Sequence, residues 1–344
     1  MKLLVTGGAG FIGSNFIRHI LARHKSAQII NFDKLTYAGN LENLAEIANH
    51  PRYLFVRGDI ADPLAVGSAL AQGFDAVVNF AAETHVDRSI EDSAPFLRTN
   101  VLGTQVLLEA ARHARIPLLV QISTDEVYGS AAPGQSFRED ANLNPGSPYA
   151  ASKAAADLLV HCYGNTYGLP AIIMRCTNNY GPYQFPEKII PLVVANALEE
   201  KPVPVYGDGL HERDWLFVTD YCCAIEAVLE RGAPRRIYNV SSGTPQPNLA
   251  VVRTILRLLG KPESLIRFLE DRPGHDRRYS LDSGTIQKEL NWQPMVSFEE
   301  GIQRTIEWYR ANRGWLARAR SGEYHAYYVR QYERREEGLK AVHR

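Results

Sequence analysis

The sequence predicts an α/β protein with a doubly wound parallel sheet, joined to a smaller C-terminal mixed α/β domain. Short apolar strands alternate with amphipathic helical segments through the first half of the chain, and this alternation is typical of a parallel sheet with right-handed crossovers. A glycine-rich turn lies between the first strand and the first helix, where a helix N-terminus favours an anionic ligand. Such sheets bind ligands beyond the carboxyl ends of their strands, so we expect the functional residues there.

The individual elements follow from the spacing of apolar residues. Strands are predicted at residues 2–6, 29–32, 53–57, 76–80, 118–122 and 171–175. Helices are predicted at residues 11–24, 63–71, 95–113 and 149–167, and later at 218–230 and 249–259.

The pattern loosens after residue 176, where proline, glycine and tyrosine become frequent. We therefore expect a cofactor-binding domain that also carries the catalytic residues over 1–176, and a partly interleaved substrate domain over 177–330. A C-terminal tail is expected over 331–344. The segment 315–344, rich in arginine, tyrosine and glutamate, is expected to be a solvated amphipathic helix.

Composition excludes several classes of partner. Lys plus Arg and Asp plus Glu each total 38, so the formal net charge is zero, and no global basic field would gather nucleic acid or an anionic membrane. No apolar stretch of the sequence approaches the roughly 20 residues needed to cross a bilayer. The four cysteines show no CxxC spacing, so no metal site is expected. We expect a cytoplasmic protein that binds neither nucleic acid nor membranes.

The turn at residues 7–13 (GGAGFIG) has the glycine spacing of a Rossmann-type dinucleotide site. Glycine allows the backbone to approach a pyrophosphate closely. Asp33 ends the second strand, where an acid hydrogen-bonds both ribose hydroxyls and repels a 2′-phosphate, so NAD is favoured over NADP. Asp59 and Ile60 are expected to flank the adenine, and residues 81–85 the nicotinamide.

Tyr149 and Lys153 lie four residues apart on a predicted helix, so their side chains share one face. A phenol is a poor base at neutral pH, but a nearby ammonium and a positive nicotinamide favour the phenolate. Tyr149 is therefore a candidate base for hydride transfer between a substrate hydroxyl and NAD.

Two adjacent acids, Asp125 and Glu126, follow the fifth strand and Thr124. Close carboxyl groups push their pKa values apart, so one serves as an acid while its neighbour serves as a base. Set beside a hydride-transfer pair, they indicate a second reaction that moves protons, and oxidation coupled to loss of water is the natural candidate. The alternative interpretation is a pair of surface acids that cap a turn.

The glycine loop, Asp33, the Ser123-Thr124 strand end and the Tyr149–Lys153 pair together resemble the extended short-chain dehydrogenase/reductases. More narrowly, the chain is similar to the family of dTDP-glucose 4,6-dehydratases. The matching stretches are DKLTYAGN (33–40), AAETHVDRS (81–89), TDEVYG (124–129), NNYGPY (178–183), RDW (213–215) and DRPGHDRRY (271–279).

The resemblance implies a lyase that converts dTDP-D-glucose to dTDP-4-keto-6-deoxy-D-glucose and water, for deoxysugar synthesis with L-rhamnose as the expected end product. Tyr149, supported by Lys153, would take the C4 hydroxyl proton while hydride passes to NAD. Glu126 would remove the C5 proton, and Asp125 would protonate the departing C6 hydroxyl before hydride returns to C6. Thr124 would hydrogen-bond the C4 oxygen.

The resemblance also implies which residues hold the two ligands, and a homodimer formed through the helices at 95–113 and 149–167. The implied cofactor set is Gly7, Gly10, Phe11, Ile12, Gly13, Asp33, Lys34, Leu35, Thr36, Asp59, Ile60, Phe80, Ala81, Ala82, Thr84, Thr99, Tyr149, Lys153 and Asn179. The implied substrate set is Thr84, His85, Thr124, Asp125, Glu126, Tyr149, Asn178, Lys188, Ile189, Pro204, Tyr206, Arg213, Asn239, Arg272 and His275.

Other functions stay open on the sequence alone. A nucleotide-sugar 4-epimerase would use the same Tyr149–Lys153 pair and NAD, but it needs no carboxyl pair. A decarboxylating relative would release carbon dioxide from a uronic acid, and a silent NAD-binding scaffold would have no use for the grouped catalytic residues. The nucleobase is less determined, because related enzymes accept UDP-, CDP- or GDP-sugars and a thymine methyl contributes only ~1 kcal/mol.

Overall fold

The computed structural model describes residues 1–321 and 323–333. Its strands are β1 (Lys2–Thr6), β2 (Gln28–Asp33), β3 (Tyr53–Arg57), β4 (Ala76–Asn79), β5 (Leu119–Thr124), β6 (Ala171–Cys176), β7 (Asn178–Tyr180), β8 (Val203–Tyr206), β9 (Glu212–Arg213), β10 (Trp215–Phe217), β11 (Ile237–Val240), β12 (Gln246–Pro247) and β13 (Ile266–Leu269). All six strands predicted in the first half are present, with ends shifted by no more than two residues.

The helices alternate with these strands along the chain. They are α1 (Phe11–Arg23), α2 (Pro63–Leu70), α3 (Val86–Glu91), α4 (Ala94–Phe96), α5 (Thr104–His113), α6 (Pro148–Tyr167), α7 (Ile189–Leu198), α8 (Val218–Arg231), α9 (Asn248–Leu259), α10 (Gly284–Leu290), α11 (Phe298–Ala311), α12 (Arg313–Ala319) and α13 (Glu323–Tyr328). None of the helices in the described part of the chain is long and apolar enough to cross a membrane.

Seven strands form one sheet in the order β11-β6-β5-β4-β1-β2-β3, and every neighbouring pair is parallel. The order reverses between β1 and β4, which opens a crevice at the carboxyl ends of these strands. The doubly wound parallel sheet predicted from the sequence is confirmed. Its outermost strand β11 belongs to the second half of the chain, so the two halves are interleaved.

Helices cover both faces of the sheet with separate apolar cores. On one face Phe16 of α1 and Tyr221 of α8 pack against the central strands, and on the other Leu107 of α5 and Val160 of α6 do so. Because helices cover both faces, β5 and β6 are buried along their whole length, as central strands of a parallel sheet usually are.

The second half adds a smaller layer with its own core, built from α7, α9 and α11 around residues such as Val193, Ile255 and Ile306. Two short parallel pairs connect this layer to the crevice. β7 pairs with β10, and β8 pairs with β13 so that Tyr206 lies opposite Leu269. Asn178 and Asn179 of β7 line the crevice.

The helix predicted at residues 95–113 is interrupted. A wide π-type turn spans Leu97–Gly103, and the regular helix α5 begins only after it. Asn100 explains the wider turn, because its side-chain amide exchanges hydrogen bonds with the backbone of Glu83 at 2.9 and 3.0 Å and donates to Ser152 Oγ at 2.8 Å. Such turns recur at functional sites, and this one carries Thr99 into the crevice.

The prediction of a solvated C-terminal helix is wrong for the described part of that segment. Trp315, Tyr324 and Tyr327 are each 6% exposed or less, because Trp315 packs into the core of the second layer, Tyr324 against Phe185, and Tyr327 against the start of α3. The tail predicted at 331–344 lies mostly outside the described residues, which end at 333.

Candidate active site

A cavity lies at the carboxyl ends of β1, β4, β5 and β6, and residues from both halves of the chain line it. Of the residues predicted to hold the cofactor, all except Leu35 line this cavity. Leu35 belongs to the same loop, where its backbone N–H donates to Asp33 Oδ1 at 2.8 Å.

The glycine loop has a shape that larger residues would not permit. Gly7 has a φ of +69°, and a Cβ there would lie 2.5 Å from the backbone nitrogen of Ala81. A Cβ on Gly13 would lie 2.5 Å from the carbonyl oxygen of Gly7. The loop therefore leaves bare backbone at the start of α1, which fits the pyrophosphate of a dinucleotide.

Asp33 holds the loop that surrounds the adenosine end of this cavity. Its Oδ2 accepts a hydrogen bond from Ala9 N at 2.9 Å, while burial raises the pKa of the carboxyl group. Lys34 pairs with Asp59 at 2.8 Å. A carboxylate has about four acceptor positions, so Asp33 keeps capacity for ribose hydroxyls, and these residues fit NAD.

Lys153 and Tyr149 are buried on one face of α6, as their spacing predicted. Lys153 Nζ donates to the carbonyl oxygen of Ile122 at 2.6 Å, and burial lowers the pKa of its ammonium to about 8. Burial and the charge of Glu126 raise the pKa of Tyr149 well above 10, opposed by a hydrogen bond with Thr124.

Thr124, Asp125 and Glu126 lie where β5 ends and a short 3-10 turn begins at Asp125–Tyr128. Thr124 Oγ1 caps this turn by accepting from Glu126 N at 3.3 Å. Asp125 is only 3% exposed, so the alternative of two surface acids is excluded. Burial and the negative charge of Glu126 together raise the pKa of Asp125 to about 7.

Glu126 lies in a more positive field than its neighbour. Burial raises the pKa of Glu126, and the charges of Arg272, Lys188 and Arg213 oppose the rise. The positive charges thus favour the ionised form of Glu126, whereas burial and the charge of Glu126 favour the protonated form of Asp125. This difference suits Asp125 to the role of the acid and Glu126 to that of the base.

Basic residues from the second half surround the other end of the site. Lys188 Nζ donates to Thr84 O at 2.8 Å, and both residues line the cavity with Asn178. Arg213 stacks over the ring of Tyr279 at 4.1 Å and donates to the carbonyl oxygen of Asp276 at 2.8 Å. Guanidinium groups recognise phosphate oxygens through paired hydrogen bonds, so this end suits a diphosphate.

Several predicted substrate residues do not line the cavity itself: His85, Ile189, Pro204, Tyr206, Arg213, Asn239, Arg272 and His275. Most belong to the basic end of the site. Tyr206 and His275 have their ring centroids 6.3 Å apart, and burial lowers the pKa of the His275 imidazole to about 3.

Asn239 is an exception that the structure corrects. It is fully buried on β11, where it accepts from Tyr128 OH and donates to Phe137 O, both at 2.9 Å. Both ends of its amide are used by protein groups, so Asn239 packs the interior here and contacts no ligand space.

Sequence reasoning also missed residues that line the cavity. Glu187 accepts from Tyr37 OH at 3.1 Å. Cys176 is the last residue of β6, Thr177 follows it, and both line the cavity. Thr177 hydrogen-bonds Asp125 and opposes the rise in its pKa. The position of Cys176 and Thr177 directly after the strand predicted at 171–175 was a usable signal, because parallel strands end at the same edge. Glu187 had no such signal.

The fold and the site define a nicotinamide-dependent enzyme of the extended short-chain dehydrogenase/reductase class, acting on a nucleotide-linked sugar. The sequence profile of the family described as GDP-mannose 4,6 dehydratase matches residues 4–305. The dTDP-glucose 4,6-dehydratase of Streptomyces niveus is 51% identical over 319 residues, covering 92% of this chain and 94% of the relative. That of Shigella flexneri is 47% identical and covers 98% and 100%.

Solved structures agree with the sequence relatives. The dTDP-glucose 4,6-dehydratase DesIV of Streptomyces venezuelae, solved with NAD bound, superposes with a TM-score of 0.91 at 49% identity, over 93% of this chain and all of that one. The chain belongs to the GDP-mannose 4,6 dehydratase family and, within it, to the dTDP-glucose 4,6-dehydratases.

Proposed function

We propose that this protein converts dTDP-D-glucose to dTDP-4-keto-6-deoxy-D-glucose and water. The observation that carries the proposal is the pair of the buried Asp125 and the half-buried Glu126, which line one cavity with Tyr149 and Lys153. Hydride transfer alone needs only the second pair, whereas elimination of water needs an acid and a base as well.

The residues divide the chemistry into proton transfers at named atoms. NAD, held by the glycine loop, supplies the hydride acceptor for C4 and later the hydride donor for C6. Tyr149 takes the C4 hydroxyl proton, and Thr124 hydrogen-bonds the resulting carbonyl oxygen. The ionised Tyr149 is favoured once the positive nicotinamide lies beside it, since an opposite charge stabilises a phenolate.

The carboxyl pair then removes water across C5 and C6. The C4 ketone acidifies the C5 hydrogen, and ionised Glu126 takes that proton. Protonated Asp125 gives its proton to the C6 hydroxyl, which leaves as water while a C5–C6 double bond forms. Return of the C4 hydrogen to C6 as hydride, with the proton held by Glu126 going back to C5, would complete the 6-deoxy product and restore the ionised Glu126.

Substrate labelled at C4 tests this proposal most directly. Incubation with dTDP-glucose deuterated at C4, followed by mass spectrometry, should show loss of one water with the deuterium retained and moved to C6. An unchanged mass with inverted C4 would indicate a 4-epimerase instead. Parallel incubations with UDP-glucose and CDP-glucose measure nucleobase selectivity, and a preference for either would contradict the dTDP assignment.

A homodimer in the cytoplasm is the assembly that we propose. Large apolar side chains are exposed on two adjacent segments: Leu97 and Leu102 on the π-type turn before α5, and Leu158 and Tyr167 on α6, each 47% exposed or more. Apolar side chains clustered on neighbouring helices are typical of a protein interface.

All four cysteines are free, which suits a reducing compartment. Supply of an L-rhamnose precursor is the pathway role that we propose.

A further inference from the structure

Asp87 on α3 is a buried carboxylate that the proposed chemistry does not use, and it joins three parts of the chain. It is 6% exposed. Its Oδ1 accepts from Arg272 Nη1 at 2.8 Å. Its Oδ2 accepts from Tyr206 OH at 3.1 Å and from Gln331 Nε2 at 2.8 Å. A buried charge persists only when it is paired and hydrogen-bonded, and Asp87 meets that condition through residues far apart in sequence.

Gln331 completes a closed set of hydrogen bonds with Asp87 and Tyr206. Its Nε2 donates to Asp87 and also to Tyr206 OH, both at 2.8 Å. The phenol of Tyr206 in turn donates to Asp87. Each donor therefore has an acceptor, and a fully satisfied network in a buried place fixes its members in one arrangement.

Tyr327 anchors the C-terminal segment against α3 from the same side. It is 2% exposed, its ring meets that of His85 edge to face at 5.3 Å, and Arg88 lies 4.7 Å above its ring. Further out, Arg330 pairs with Glu91 at 2.8 Å. The segment 323–333 thus lies along α3, beside the predicted nucleotide end of the substrate site.

We propose that the segment 323–333, through Gln331 and Asp87, positions Tyr206 and Arg272 for the nucleoside diphosphate of the substrate; this inference rests on the proposed function. Arg272 has one donor fixed by Asp87 while its Nε is buried with no partner among the described residues, so the guanidinium is oriented and keeps donors for phosphate. The hydroxyl of Tyr206 is fixed by Gln331 and Asp87, and its ring lies near those of His275 and Tyr332, so the orientation of the whole side chain depends on this segment. Gln331 and Asp87 are positioning residues and touch no reacting atom.

A Gln331→Ala variant tests the inference without disturbing the core, because Gln331 is only partly buried. We expect dTDP, measured by titration calorimetry, to bind about tenfold more weakly, as loss of a hydrogen bond to a charged group implies. KM for dTDP-glucose should rise by a similar factor with kcat unchanged, because contacts to the nucleotide are equal in the ground and transition states. Arg318→Ala, which removes an exposed ion pair with Glu42, is the matched control and should change neither value.

A double-mutant cycle separates positioning from a general loosening of the segment. Tyr206→Phe removes the phenol hydroxyl that Gln331 contacts, so Gln331→Ala should weaken dTDP binding less in that background than in the wild type. Additive effects, or unchanged dTDP affinity in Gln331→Ala, would overturn the inference. Wild-type protein that binds dTDP but does not dehydrate dTDP-glucose would overturn the proposed function alone, and protein that binds no dTDP would overturn both.

Discussion

Asp125 is buried beside Glu126, and the charge of Glu126 adds to burial in raising the pKa of Asp125 to about 7. The positive charges of Arg272, Lys188 and Arg213 act in the opposite direction on Glu126. Two neighbouring carboxyl groups thus receive different roles from their surroundings. The same basic residues that suit a diphosphate also help to keep the proposed base ionised.

Neutralising both carboxyl groups should separate oxidation from elimination. In Asp125→Asn with Glu126→Gln, Tyr149 and Lys153 stay in place, so C4 oxidation proceeds while water loss falls by at least about 10²-fold, the usual contribution of a positioned acid or base. NADH absorbance should therefore accumulate after mixing with dTDP-glucose. The matched control Glu263→Gln removes an exposed acid that pairs with Arg253, and it should turn over normally. Water loss at the wild-type rate in the double variant would refute the assigned roles.

The pH dependence of turnover should follow the proton on Asp125. Because its pKa is raised to about 7, Asp125 is protonated below that pH and loses its proton above it. We expect kcat/KM for dehydration to fall as pH rises through about 7, since this parameter reports the free enzyme.

The oxidation step should decline at a different pH from the overall dehydration. It needs the charged Lys153 but not Asp125, and burial lowers the pKa of Lys153 to about 8. Stopped-flow NADH formation in the Asp125→Asn variant should therefore decline about one pH unit higher than overall dehydration in the wild type. Coincident limbs for the two reactions would contradict the assignment of Asp125 as the acid.

Tyr149→Phe should abolish the first step as well as the later ones. The variant keeps the ring and its edge-to-face contact with Phe96 at 6.3 Å, so the fold is expected to survive. Without the hydroxyl no group takes the C4 proton, and single-turnover NADH formation should drop by at least about 10²-fold. Tyr53→Phe, which removes a hydroxyl bonded to Asn31 away from the cavity, is the control. Normal NADH formation in Tyr149→Phe would remove this residue as the base.

The places of the glycine loop and of the four residues proposed to be catalytic, Asp125, Glu126, Tyr149 and Lys153, were predictable because their sequence signals are local. Gly7 to Gly13 follow a strand and open a helix, and Asp33 ends the next strand, so the motif and its place in the fold are read together. Tyr149 and Lys153 share a helix face for the same kind of reason. Such residues act through their own element, and the sequence around them is sufficient.

The residues that sequence reasoning misplaced depend on contacts between distant parts of the chain. Asn239 was assigned to the substrate by the resemblance alone, but the pairing of β11 with β6 buries its side chain, which accepts a hydrogen bond from Tyr128. In the sequence, Gln331 and Tyr327 belong to a segment that is recognisable only as aromatic and charged. Their contacts with Asp87 form only when α3 and β8 are in place. No local sequence pattern identifies a partner that lies far away along the chain. These contacts are set by tertiary packing, so the sequence did not predict them.

Gly7→Ala should reduce the amount of NAD that stays bound through purification. The substitution places a Cβ 2.5 Å from Ala81 N at a φ of +69°, a conformation that costs a non-glycine residue about 1–3 kcal/mol. NAD released by denaturation, quantified by mass spectrometry, should fall about tenfold or more relative to wild type. Gly67→Ala on α2 meets nothing within 4 Å and should retain wild-type cofactor content. Equal NAD content in both variants would contradict the placement of the pyrophosphate at this loop.

Charged substitutions on the exposed apolar segments should dissociate the proposed dimer. Leu97 and Leu158 are 53% and 59% exposed, and in an isologous interface each would be buried twice, once in either protomer. Leu97→Glu with Leu158→Glu places four carboxylates there, so light scattering should give the mass of one chain for the variant and of two chains for the wild type. Leu64→Glu, at a position 83% exposed on α2, should leave the mass at two chains. A wild-type mass of one chain at micromolar concentration would show that these side chains do not form an interface with a second copy of the protein.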